Sequence, residues 1–191
     1  MNGDTGKAVW ATTDNAADEW TAQFLSSKPE PGNIAEYTPL YSGRYLMRQA
    51  AAAPLTKAQV KLTGETERGD VRTLDPSIVP ARAGVNLLLF LDSKAELLSA
   101  VVNGKRVGDD GPSAAGGPRS RVRSSTGQCP PRGLALTLEV KAPRPLKLFL
   151  VERSYGLPEL PGLSIKPWPD DLMPIRSSTS DATLLSSSYS F

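Results

Sequence analysis

Two pairs of adjacent carboxylates, Asp109-Asp110 and Asp170-Asp171, are the side chains best suited to acid–base work or to holding a calcium ion. Such chemistry needs carboxyl groups that converge on one point, and neighbours in a turn diverge. Neither pair lies in the Asp-rich spacing of a calcium loop, so both read as solvated loop charges. Arg119, Arg121 and Arg123 offer guanidinium groups to phosphate, but no aromatic residue alternates with them to stack a base. The glycines from Gly104 to Gly117 match neither the P-loop nor the dinucleotide-binding spacing. The chain contains no histidine and one cysteine, Cys129. Ser-His and Cys-His nucleophiles, HExxH zinc sites and thiolate zinc sites are therefore excluded, and no intrachain disulfide can form. Cys129, ahead of Pro130-Pro131, reads as an incidental or packed thiol.

That leaves Arg153, Ser154 and Tyr155, together with Trp168 further on, as candidate interaction residues. An Arg beside a Tyr at a strand end suits a partner's carboxylate or an aromatic contact. The plainer reading is that Tyr155, Leu157, Leu160 and Trp168 fold a proline-rich return over the edge of a sheet. The stretch Leu146 to Gly162 must position them. Leu146, Leu148 and Leu150 alternate with Lys147 and Phe149, as in a strand with one face buried, and Val151 to Arg153 carry it to a rim. Gly156, Pro158 and Pro161 then impose a polar, irregular turn.

The elements around that stretch are mostly short strands. Lys7 to Thr12 predicts the first, after a cluster of turn residues, Asn2-Gly3-Asp4-Thr5-Gly6, which calls for a strand before it. Asp14 to Leu25 predicts a short amphipathic helix, capped by Asp14 or Asn15, with Ala16, Trp20 and Phe24 on one packing face. Ser26 to Pro54 reads as an irregular connection, with Arg44 to Ala53 either a helix or a linker. Further strands follow at Ala58 to Thr63, Val71 to Leu74, Leu97 to Val102, Leu134 to Val140 and Ala182 to Phe191. Gly84 to Leu91 is almost continuously apolar and predicts a central strand buried on both faces. Asn103-Gly104 predicts a hairpin into Lys105 to Val107. Gly108 to Gln128, rich in small residues, predicts a long mobile loop.

This pattern predicts a mostly β chain: an antiparallel β-sandwich with a short N-terminal helix and Pro-rich loops. Residues 1–54 would supply the first strand, the helix and the connection, and residues 55–191 the sandwich. At 191 residues the chain is long enough for a substantial core. Its 17 prolines, about 9% against a usual value of about 5%, favour strands and loops over a helical bundle. A net charge of +2 is too small to steer nucleic acid or anionic lipid. No apolar run reaches membrane-spanning length and Met1 to Trp10 lacks a signal-peptide core, so the chain as given reads as soluble.

The segments GKAVWATTD, DEWTAQFL, VVNGKRV, CPPRGLALTLEV, VERSYGLPELPG and DLMPIRSSTSDATLLSSSYSF, in that order, resemble the C-terminal domain of bacterial membrane-bound di-zinc aminopeptidases. The same family includes the endoplasmic reticulum metallopeptidases. The resemblance is most specific at SYGLP and PWPDDLMP, and weakest at Ser26 to Pro54 and Gly108 to Gln128. It implies a parent with a peptidase domain holding two zinc ions, several membrane helices, and this β-rich domain on the extracytoplasmic, periplasmic side. None of the family's metal ligands falls on this sequence, so the chain itself would hold no cofactor and no catalytic residue. Its expected partners are the parent's own peptidase and membrane domains, with a homo-oligomer possible. The alternative is a free-standing module that binds protein or glycan.

Overall fold

A computed structural model describes residues 1–25, 28–39, 43–107, 121–123 (backbone), 129–160, 162, 164–170 and 181–191. The chain is mostly β and antiparallel, as the alternating patterns predict, and its strands form three sheets. Ala8–Thr12 (β1), Glu30–Gly32 (β2) and Tyr45–Ala50 (β3) make the smallest, in the order β1-β3-β2, with one helical turn, Ala22–Leu25 (α1), beside it. The second sheet comprises Gln59–Arg68 (β4), Val71–Val79 (β5), Glu96–Val102 (β7), Lys105–Arg106 (β8) and Leu134–Lys141 (β10), in the order β4-β5-β10-β7-β8. The third comprises Asn86–Leu91 (β6), Arg121–Arg123 (β9), Lys147–Tyr155 (β11) and Ala182–Ser190 (β12), in the order β12-β11-β6-β9.

The two larger sheets form the sandwich because each offers one apolar face. On β10, Leu134, Leu136, Leu138 and Val140 are buried, whereas Ala135 and Glu139 between them are exposed. Those four pack with Leu74 and Ile78 of β5 and with Leu89, Leu91, Leu148 and Leu150 of the opposite sheet. Removing each such side chain from water is worth about 1.5–3 kcal/mol. Strand β6 lies between β11 and β9, and every residue from Leu87 to Leu91 is buried. Its odd-numbered leucines enter the main core, and Leu88 and Phe90 pack with Val151 on the other face. This is the doubly buried strand that the sequence predicts. The Asn103-Gly104 hairpin also forms, with both residues at positive φ (48° and 77°), the geometry a two-residue turn between twisted strands requires.

Several expectations need correction. The helix is one turn, not the run from Asp14 to Leu25. Asp14 N–H donates to Thr12 Oγ1, closing a local turn, and the helical turn is capped four residues later, where Asp18 Oδ1 accepts from Thr21 N–H (2.6 Å). Within residues 44–53 the structure has no helix but strand β3, whose Leu46 to Ala50 pair with all of β1. The connection over 26–54 is thus partly ordered as β2 and β3, and Tyr37 and Tyr45 meet around Ile34.

The turn after Asn2 forms as the sequence predicts. Asn2 Oδ1 accepts from Asp4 and Thr5 N–H, Asn2 N–H donates to Lys7 O, and Asn2 forms a parallel bridge with Ser186 at the edge of β12. Within Gly108 to Gln128, Arg121–Arg123 form β9 against Leu88–Phe90, and the remainder of that predicted loop lies outside the described residues. Strand β5 runs past Leu74 through Pro76, because Pro76 lies opposite the bulge at Leu62/Gly64, where a missing N–H is tolerated.

Candidate functional site

Strand β11 extends through Tyr155 instead of turning at Arg153, because β12 pairs with it throughout, ending at Tyr155↔Ala182. It breaks at Gly156, whose φ of 86° suits glycine. Strand alternation then separates the three neighbours. Ser154 shares the face of Leu148, Leu150 and Glu152, and its Oγ accepts from Arg82 Nη1 (2.9 Å). Arg153 and Tyr155 project from the opposite face, with the guanidinium carbon 5.6 Å from the phenol ring centre. Tyr155 is 60% exposed, so a large aromatic ring is held in water on a fully paired strand.

Trp168 is not part of that pair. It stacks on Trp20 with ring centres 4.0 Å apart and planes 15° apart. Trp20 in turn meets Phe24 edge-on at 5.1 Å, and Phe24 meets Trp10 at 4.7 Å. Leu157 and Ile165 pack on the same group, so part of the proline-rich return covers the N-terminal layer, where the plainer reading has it cover a sheet edge together with Tyr155. It is fastened there: Trp20 Nε1–H donates to Lys166 O (3.0 Å), and Lys166 N–H donates to Gln23 Oε1 (2.8 Å).

These rings line a cavity of about 620 Å³ between the small sheet, the return and the start of β12. Trp10, Trp20 and Trp168, which are all the tryptophans of the chain, border it, and so do Phe24, Tyr37 and Tyr45. Its charged side chains are Asp14, Asp18 and Asp181, with no Lys or Arg among the described lining residues. Asp18 is held below the usual carboxylate range by its hydrogen bonds from the Thr21 side chain and backbone. Asp181, partly buried and at φ 47°, is pushed up by burial.

The signal for this site in the sequence was the rarity of tryptophan, not any motif. The reading of residue types placed Trp20 and Phe24 in packing, which is correct, but did not join them to Trp10, Trp168 and Asp181. Those residues are far apart in sequence, and only the docking of the return brings them together.

A second buried polar group lies inside the sandwich end. Glu152 is wholly buried; its Oε1 accepts from Ala58 N–H (2.7 Å), and Oε2 has no hydrogen-bond partner among the described residues. Tyr189 O–H donates to Ala58 O (2.5 Å). Burial raises the Glu152 carboxyl, and the Ala58 bond and Arg82 oppose that rise. Cys129 is buried in the main core, and burial raises its thiol too, which agrees with a packed, unreactive thiol.

Asp170 is exposed, whereas Asp109, Asp110, Arg119 and Asp171 lie outside the described residues. Among the described residues no three Cys, Asp or Glu side chains gather as metal ligands, and the cavity carboxylates of Asp14 and Asp18 are already engaged by Thr12 and Thr21. Comparison with family models, with curated proteins and with solved structures finds no match for this chain.

Proposed function

We propose that this chain is a non-catalytic accessory domain of a membrane-bound zinc aminopeptidase, placed on the extracytoplasmic side and working through contacts with domains, substrate or subunits of that parent. The two zinc ions and the chemistry belong to the parent's peptidase domain. What supports the reading from the sequence is the ordered series of segments that resemble that family's C-terminal domain. The observation that carries contact as the role is Tyr155, which stands 60% exposed on a paired strand with Arg153 against its ring. Tyr and Arg are enriched at protein interfaces because each presents a large contact area and a polar tip. No helix among the described residues is long and apolar enough to cross a membrane, so any anchoring through helices would come from elsewhere in the parent.

The test has two arms. Purified chain alone should bind no stoichiometric zinc by metal analysis and should release no amino acid from aminoacyl-p-nitroanilides; zinc at one or two per chain with turnover overturns the reading. In the full-length parent, Arg153→Ala with Tyr155→Ala should lower activity or dissociate the assembly while the isolated domain keeps its circular dichroism and Tm. Unchanged activity and assembly would remove the contact role.

A further inference from the structure

We propose that the aromatic cavity is a binding site for a small organic cation, an ammonium group carried on an aromatic or apolar body. This inference rests on the aromatic rings and Asp181 that line the cavity, not on the accessory-domain reading.

Three observations carry it. At about 620 Å³ the cavity falls within the usual range for small-molecule sites, and it has the usual form of an apolar wall with a few fixed polar groups. The wall is rich in indole, whose electron-rich face attracts cations more strongly than other aromatic rings. Among the described lining residues the side-chain charge is of one sign, from Asp14, Asp18 and Asp181. Asp14 and Asp18 already accept hydrogen bonds from Thr12 and Thr21. Asp181 is different. It forms no ion pair with a described residue, and its residue environment is partly desolvated, so its charge is costly until a cation arrives. An anionic ligand would meet three carboxylates, and a neutral one would leave Asp181 uncompensated.

The site also reports on itself. Because every tryptophan of the chain borders the cavity, intrinsic tryptophan fluorescence reads its occupancy without background from elsewhere. The probes are phenethylamine, 2-phenylethanol and 3-phenylpropionate, which share a phenyl body and differ in charge. Phenethylamine should change the fluorescence saturably and bind about tenfold more tightly than the alcohol, with the propionate weakest, as expected for one partly desolvated charge contact. Asp181→Asn should reduce the preference for the amine severalfold, the remainder being the attraction of the indole faces. That substitution keeps the backbone, since Asn accepts the left-handed conformation at φ 47° as readily as Asp. Three results would overturn the proposal: no saturable change at millimolar phenethylamine, equal affinity for amine and alcohol, or an amine preference that survives undiminished in Asp181→Asn of unchanged Tm.

Discussion

Glu152 occupies a position where strand alternation dictates an apolar residue. It follows Leu148 and Leu150 on the inner face of β11 and has no exposed surface. Its one described hydrogen bond ties β11 to the residue just before β4, through Ala58 N–H. Because burial raises the folded-state carboxyl above its unfolded value, the folded chain holds that proton to higher pH than the unfolded one. Any stability linked to Glu152 is therefore fully present below the unfolded value, about pH 4, and is lost as pH rises through the folded one. Glu152→Gln keeps an acceptor for Ala58 and removes the buried charge. It should raise Tm at pH 7 by about 2–4 °C for each kcal/mol recovered, with the gain shrinking toward pH 4, as read by thermal melts across that range. Glu152→Leu should instead lose about 1–3 kcal/mol, since Ala58 N–H would be buried without an acceptor. A Gln variant less stable than the parent chain at pH 7 would mean that attraction to Arg82 outweighs burial.

Among the elements, the turn that delivers β10 has the least freedom. Gly133 adopts φ 85°, and a Cβ there would lie 2.2 Å from the carbonyl oxygen of Ile78 on β5. Any side chain would both strain the backbone and push β10 off its neighbour, which pairs Leu134 with Ile78. Gly133→Ala should cost several kcal/mol, about 3 or more, measured by urea unfolding; a loss below about 1 kcal/mol would show that the turn can relax. The short helix gives the opposite lesson. Its packing pair, Trp20 and Phe24, was legible from spacing, but its length was not. Asp14, Asn15 and Asp18 all qualify as caps by type, and the bonds of Thr12 and Thr21 select the last.

For the whole molecule, the edge of the third sheet is covered by the chain's own N-terminal residues. Gly3 N–H donates to Ser186 O, Ser186 N–H donates to Met1 O, and Asp4 Oδ2 accepts from Ser188 N–H. Lys57 pairs with the same Asp4 at 3.1 Å, so this cover also touches the segment leading into the second sheet. An uncovered strand of nine residues is a template for pairing between copies. Removing residues 1–4 should convert a monodisperse sample into dimers or larger species on light scattering; an unchanged mass would show that β12 needs no cover. The sequence by itself determined the strands with alternating or continuous apolar patterns, β6, β7, β10, β11 and β12, and the turn at Asn103-Gly104, because hydrophobic period and glycine sterics are local properties. It also excluded histidine chemistry by composition alone. Only the tertiary structure decided that Tyr45 to Ala50 would be a strand, that Arg153 and Tyr155 would face away from Ser154, and that Trp168 would leave them to stack on Trp20. Each of these depends on a partner far away in the chain: β1 for β3, the full register with β12 for Arg153 to Tyr155, and the docked return for the cavity. Local pattern carries no record of such pairings, since their free energy comes from surfaces that meet only when the chain is folded.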